Sequence, residues 1–328
     1  MPRSFVIDTD TASDDAVALV MALMHPDIEV RAITVVAGNV PLLMAVNNAL
    51  LTVERCVAVG RPSVPVHSGL AGPLHRALET AQYVHGEDGM GDIDLPPATT
   101  AVTGDDAVDR LMTLPSESSD PLTLVTLGPL TNVAAALARD PLLLTRYDHT
   151  VMMAGAPDLV GNVNTHGEFN VWCDPEAGEI VFAAPGRKTL VGWNISRQYA
   201  VMTPADQSHL LTLGPLGAFV HEINRVVEEY CLHTGLAGYD LPDPIAMAIA
   251  IDPTIATHVT EQAVTVTIDG EDHRGASVPI PTPAPNSAPT AAPTAENGRP
   301  TMTVVWEADE AAFKAQLFAA CEAGMTAT

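Results

Sequence analysis

Basic residues are scarce in this chain: 15 Lys plus Arg stand against 40 Asp plus Glu, a formal charge of −25 over 328 residues. A surface this negative repels phosphate, which excludes a nucleic-acid backbone or an anionic membrane as partner. Most of the charge is expected to be ordinary solvated acidic surface. Aromatic residues make up only 4%, so the core must come from Val, Leu, Ile and Ala. The four cysteines, Cys56, Cys173, Cys231 and Cys321, are scattered and form no C-x-x-C pair. That argues against a disulfide framework and for reduced thiols in a cytoplasmic protein. No apolar run approaches the roughly 20 residues of a membrane span. The N-terminus also lacks a basic region followed by an apolar one, so a soluble, cytoplasmic protein is expected.

What is present is a large apolar fraction, 47% of residues, enough for one large or two medium domains. Residues 5–7, Phe-Val-Ile, read as a short buried strand ending at Asp8. A helical pattern follows at once, with Ser13 placed as N-cap, Asp14 and Asp15 in the first turn, and Ala16, Leu19, Val20 and Leu23 at core-facing spacing. Asp8, Asp10, Asp14 and Asp15 thus crowd one strand-to-helix turn. Capping chemistry accounts for one or two acids at a helix start. Four within eight positions exceed it, and they would repel each other unless a cation neutralised them. An all-oxygen set of this density suits a hard ion, Ca²⁺ or Mg²⁺.

Along the chain, strand-like runs at 29–37, 64–66, 122–127, 151–153 and 189–192 alternate with helical patterns at 42–56, 105–114, 129–139, 174–182, 210–213, 218–232 and 243–251. Pro129 suits the first turn of one helix and Pro175 that of another. The alternation predicts an open, mostly parallel α/β sheet flanked by helices, a single domain over residues 1–328. Further strands are expected at 263–268 and 301–306, before a closing helix at 309–323. Residues 68–100, rich in Gly, Pro, His and Asp, form a long irregular segment of the kind that carries function. Residues 279–300 hold seven prolines and are expected as a disordered surface insertion without a regular element.

Polar motifs recur where strands should end: the opening acids, Gly38-Asn39, Thr126, Asn162 with Glu168-Phe-Asn170, and Asp243. Strand ends of a parallel sheet share one edge, so these groups can meet in one crevice. Singly, Asn39 and Asn162 read equally as turn residues and Asp243 as an N-cap.

The ordered set resembles the inosine-uridine-preferring nucleoside hydrolase family. The motifs are Asp8-Thr-Asp10-Thr-Ala-Ser-Asp14-Asp15, Ala37-Gly38-Asn39-Val40, Thr126-Leu-Gly-Pro-Leu-Thr-Asn132, Gly161-Asn162 with Glu168-Phe-Asn170, Asp174-Pro175-Glu176-Ala177, and Asp243-Pro244 with Ala246. The resemblance implies the fold of that family and hydrolysis of ribonucleosides to ribose and free base. It implies Ca²⁺ held by Asp10, Asp15, Asp243 and the Thr126 carbonyl, with a Ca²⁺-bound water giving its proton to Asp10. It places Asp14, Asn39, Asn162, Glu168 and Asn170 on the ribose hydroxyls and 5′ group. The partner is then a small-molecule nucleoside, the role purine or pyrimidine salvage, and the assembly a homodimer or homotetramer.

One position departs from the family. Many members carry a His directly before the last metal Asp, to protonate the leaving base, and some carry a Trp; this chain has Pro242. His85, in the long irregular segment, is the first replacement acid, and His233 with Tyr230 the second set, on the helix expected to cover the base. Two other readings stay open. One is a ribose- or nucleoside-binding protein that keeps the metal pocket without catalysis. The other is a Mg²⁺-dependent phosphatase of the haloacid dehalogenase type, which needs a Lys beside its Asp; only Lys188 and Lys314 exist.

Overall fold

The computed structural model describes residues 2–280 and 298–325. Its strands are β1 (Arg3–Thr9), β2 (Ile28–Val35), β3 (Val66–Ser68), β4 (Leu122–Thr126), β5 (His149–Met153), β6 (Lys188–Val191), β7 (Val201–Met202), β8 (Tyr239–Asp240), β9 (Ala256–Val266), β10 (Ser277–Ile280) and β11 (Met302–Ala308). Nine of them form one sheet in the order β10-β9-β11-β6-β5-β4-β1-β2-β3, while β7 and β8 make a separate two-stranded ribbon. From β3 to β11 every neighbour pairs in parallel, and at the other end β9 runs the opposite way, pairing antiparallel with both β11 and β10. The expected open, mostly parallel α/β sheet is therefore what the chain builds.

The order has one reversal that matters. From β1 the chain steps to β2 and β3 on one side, then returns to lay β4 on the other side of β1. Two adjacent strands whose connections leave in opposite directions open a crevice beyond their carboxyl ends. Asp8 is paired in register with Thr126 at that gap, so the opening acids and Thr126 are brought together by topology.

Helix Ser13–Met24 leaves the gap and runs through the centre, with all twelve of its residues buried. It packs on helices Pro242–Ile251, Leu42–Ala58 and Glu310–Ala323. Pro242–Ile251 is also almost wholly buried and likewise begins at the site. Both are apolar on every side, as fully enclosed helices must be. Their first turns carry Asp14, Asp15 and Asp243, where backbone N–H groups and the helix dipole favour negative charge.

Several local expectations are corrected. Ser13 is not the N-cap: Ala12 takes that position, and the Asp15 side chain accepts the Ala12 amide instead. Pro129 lies outside its helix, which starts at Thr131. The single helix expected over 218–232 is two, Gly214–Ile223 and Arg225–Thr234, broken at Asn224, whose side chain turns back to the Val220 carbonyl. Helix Trp193–Tyr199 was not foreseen; it is two turns long, with no side-chain cap to announce it. Pro279 and Ile280 belong to edge strand β10 rather than to an irregular insertion; Pro is tolerated there because an edge leaves one backbone face unpaired. Residues 281–297 of the expected insertion lie outside the described residues, whereas 298–300 are described.

Candidate active site

The site is built from the turn after β1. Asp8 fixes it: its Oδ1 accepts Thr34 Oγ1 of β2 at 2.5 Å and Asn132 Nδ2 of helix Thr131–Arg139 at 2.9 Å. Full burial pushes this carboxyl up to about 7. Two residues on, Asp10 is also fully buried, and its Oδ2 accepts the Asn39 backbone amide at 2.6 Å. A Cβ on Gly38 would stand 2.1 Å from Asp10 Oδ2, and one on Gly128 would stand 2.5 Å from Oδ1. These glycines are required because the carboxylate fills the space a side chain would take. Gly38→Ala is therefore expected to displace Asp10 and lower kcat/KM about 10²-fold, the usual cost of a shift near 1 Å at a reacting group. Steady-state kinetics on any accepted nucleoside checks this; full activity in the variant would refute the crowding.

Asp14, Asp15 and Asp243 converge next to it, each offering a ligand oxygen within 4.8 Å of the others'. Asp15 is held by Thr9 Oγ1 at 2.5 Å and by the Ala12 amide at 2.9 Å, with Asn39 Nδ2 at 3.4 Å. Burial first, then mutual repulsion, raises the carboxyls of Asp10, Asp15 and Asp243; for Asp14 burial leads and Asp240 adds to it. Oδ1 of Asp10 and Oδ1 of Asp14 are buried and take no hydrogen bond among the described residues. Among the described residues, no Lys or Arg lines the cavity above them. Lys188, at the start of β6 and so at the opposite edge of the sheet, gives its ammonium to the carbonyls of Val181, Phe182 and Ala184. Lys314 pairs with Asp206 and Glu310. Neither lysine is placed to steady a phospho-aspartate, and that reading is set aside.

A cavity of about 230 Å³ opens above the acids, lined by Asp14, Asn39, His85, Asn162, Glu168, Asn170, Tyr230, Asp240, Pro242 and Asp243 among others. Asp10, Asp15 and Thr126 are fully buried and do not themselves line it; Asp15 belongs to the converging trio, and Thr126 pairs with Asp8 across the sheet. Glu168 caps the turn Phe169–Cys173: its carboxylate accepts the amides of Gly155 at 2.6 Å and Asn170 at 2.8 Å, and burial still lifts it to about 7. Asn170 Nδ2 donates to the carbonyls of Leu127 and Met153, which orients its oxygen. Asn162 is exposed at the rim and accepts the Phe169 amide.

Part of the cavity lining is apolar and aromatic. Tyr83 and Tyr230 meet edge to face with centroids 5.9 Å apart, beside Val84, Val227, Leu236 and Trp193. His85 is buried against the acidic turn, its Nδ1 2.9 Å from Ser13 Oγ and 3.6 Å from Asp14 Oδ1, and burial pushes its ring down to about 4, so it is neutral at physiological pH. His233, in contrast, is exposed, gives its Nδ1–H to the Glu229 carbonyl and lies outside the lining, which corrects its expected place at the substrate. Sequence reasoning missed Trp193, because its short helix was not foreseen, and the bond from Ser196 Oγ to Asp240 at 2.8 Å.

A crevice at a switch point, floored by carboxylates that need a cation and walled by amides and neutral hydrogen-bonding groups, defines a metal-dependent α/β hydrolase. Comparison with known proteins narrows the class. The family described as inosine-uridine preferring nucleoside hydrolase matches residues 5–315. The inosine-uridine preferring nucleoside hydrolase of Leishmania major is 37% identical over 261 residues, 78% of this chain and 81% of that protein. The pyrimidine-specific ribonucleoside hydrolase RihA of Salmonella paratyphi A is 37% identical over 281 residues, 85% of this chain and 88% of that one. Among solved structures, the plant nucleoside hydrolase PpNRh1 superposes with a TM-score of 0.87 at 30% identity, over 98% of this chain and 99% of that one. The chain belongs to the inosine-uridine preferring nucleoside hydrolase family, and its reaction is hydrolysis of the N-glycosidic bond of ribonucleosides. No helix among the described residues is long and apolar enough to cross a membrane.

Proposed function

We propose that the metal is Ca²⁺, held by the carboxylates of Asp10, Asp15 and Asp243 and the backbone carbonyl of Thr126, and that Asp10 is the general base. The observation that carries this is the cluster itself. Buried carboxylates converge with oxygens left unpartnered and with no Lys or Arg among the described residues that line their cavity. Such a set fits a hard divalent cation bound through oxygen. When bound, the cation supplies Lewis-acid charge that makes water more acidic and fixes the sugar. Asp14 falls within the converging trio by distance. Its Oδ1 has no partner and the residue lines the cavity, which suits it better to a ribose hydroxyl.

The chain's own residues then divide the work. Asp10 Oδ1 takes the proton of the attacking water as its oxygen bonds to C1′. Asp14, Asn39, Asn162, Glu168 and Asn170 hold the ribose hydroxyls and 5′ group, and the surrounding carboxylates stabilise the oxocarbenium-like charge. The C1′–N bond breaks with its electron pair moving to the base, which lies against Tyr230 and receives a hydrogen bond from His85. Pro242 lines the cavity but has no proton to give.

The test is release of reducing sugar from inosine, uridine, cytidine and adenosine, with and without chelator. At least one nucleoside is expected to be cleaved, chelation to abolish turnover, and Ca²⁺ to restore it at lower concentration than Mg²⁺. Binding of nucleoside without turnover on any of the four would overturn the catalytic roles. Full activity after chelation would overturn the metal.

A further inference from the structure

Ser13 stands in the middle of the acidic motif, yet its hydroxyl serves neither the helix nor the carboxylates. It is the first residue of helix Ser13–Met24, whose N-terminal amide at Ala12 is taken by Asp15 and not by Ser13. Its Oγ instead lies 2.9 Å from Nδ1 of His85, 72 residues further along the chain. Both are buried, Ser13 completely and His85 to 8% exposure. Among the described residues Ser13 Oγ has no other hydrogen-bond partner, and His85 Nε2 has none.

The direction of this bond follows from what each atom needs. A buried hydroxyl proton must find an acceptor, and Nδ1 is the one within reach. Were Nδ1 to carry the proton and donate to Oγ, the Ser13 O–H would be left without an acceptor. The nearest competing acceptor for an Nδ1 proton, Asp14 Oδ1, is 3.6 Å away, too far for a hydrogen bond. Ser13 therefore donates, Nδ1 accepts through its lone pair, and the ring proton sits on Nε2. With one ring nitrogen tied to Ser13 and the residue itself lining the cavity, Nε2–H is the polar group His85 has left for a ligand.

We propose that Ser13 is a positioning residue: its hydroxyl locks His85 in the Nε2–H tautomer, so that a neutral imidazole donates a hydrogen bond to the departing base. A neutral imidazole stabilises charge developing on the base without completing a proton transfer. As the C1′–N bond breaks, the electron pair moves to the base and the His85 proton stays on Nε2; the base takes its proton from solvent after release. The motif then reaches both ends of the substrate, since Asp10, Asp14 and Asp15 address the sugar while Ser13 acts through His85 on the base.

This inference rests on the place given to His85 above, and the experiment separates the two. Ser13→Ala, His85→Ala and the double variant are compared on the best nucleoside and on nitrophenyl riboside, whose leaving group needs no such help. Ser13→Ala is expected to lower kcat on the nucleoside about 10-fold or more, with KM little changed and nitrophenyl riboside cleaved normally. In the His85→Ala background it should add less than about twofold, because the two act as a unit. ¹⁵N spectra of His85 in the intact enzyme should show a pyridine-type Nδ1 and a protonated Nε2, and Ser13→Ala should release this preference. A protonated Nδ1 in the wild type, independent losses in the double variant, or a lost Ca²⁺-induced rise in Tm in Ser13→Ala would each overturn the proposal. If His85→Ala slows both substrates equally, the leaving-group role of His85 fails; the ¹⁵N spectra still decide whether Ser13 sets the tautomer.

Discussion

Asp10→Asn is expected to lower kcat on every accepted nucleoside by about 10³-fold or more, while the melting temperature stays within a few degrees of wild type. Loss of a general base alone is worth roughly 10²- to 10⁴-fold. The amide keeps the shape of the side chain and can still accept the Asn39 amide through one oxygen. It places an NH₂ group where Oδ1 now stands unpartnered, and that group can neither take a proton from water nor serve a cation. Nitrophenyl riboside should suffer as much as the natural substrates, because activating water is needed whatever leaves. Steady-state kinetics on both substrate types with a thermal melt checks this. Activity within tenfold of wild type would remove Asp10 from the base role.

The second large effect is on stability. Glu168 and Asp8 are held by burial at about 7, against ordinary values of 4.5 and 3.8, and burial and repulsion also raise Asp10, Asp14, Asp15 and Asp243. Between the ordinary and the raised values the folded chain keeps protons that the unfolded chain has released. The metal-free protein is therefore stabilised by these groups below about pH 4, and this stabilisation is lost as pH rises towards 7. Chelator-treated protein should melt at a lower temperature at pH 8 than at pH 5. Calcium should reverse this, and more strongly at pH 8, where no proton competes for the carboxylates. At a free concentration 100 times Kd the gain is about 2.7 kcal/mol, which for a chain of this size moves Tm by about 4 °C. Melting curves over the two pH values with and without Ca²⁺ measure it. A melting temperature that rises with pH in chelator would show that the acids are not buried together.

The position of His85 explains why the base end was the harder half to read. Its place in a long irregular segment marked it as available, but its burial and low basicity come from the walls around it, and residues 68–100 carry no periodicity from which those walls could be inferred. His233 failed for a related reason: helical spacing puts it one turn from Tyr230, yet its ring turns to the Glu229 carbonyl, away from the cavity. Ser13 looked like a cap because Ser before an acidic first turn usually is one. The Ala12 amide took Asp15 instead, and the serine hydroxyl was left to His85.

The sequence by itself determined the alternation of strand and helix, and with it a parallel sheet whose strand ends share an edge, because apolar periodicity and turn residues are local signals. It determined the acidic turn as well, since the strand ending at Asp8 and the helical pattern from Ser13 are local signals that fold the four carboxylates onto one short turn. Only the tertiary structure decided what meets that turn. The reversal between β1 and β4 brings Thr126 beside Asp8, the buried helix Pro242–Ile251 delivers Asp243 from the far end of the chain, and close packing sets Ser13 against His85. These contacts join residues from 72 to more than 200 positions apart in sequence. They depend on which buried surfaces fit together, which no local pattern records.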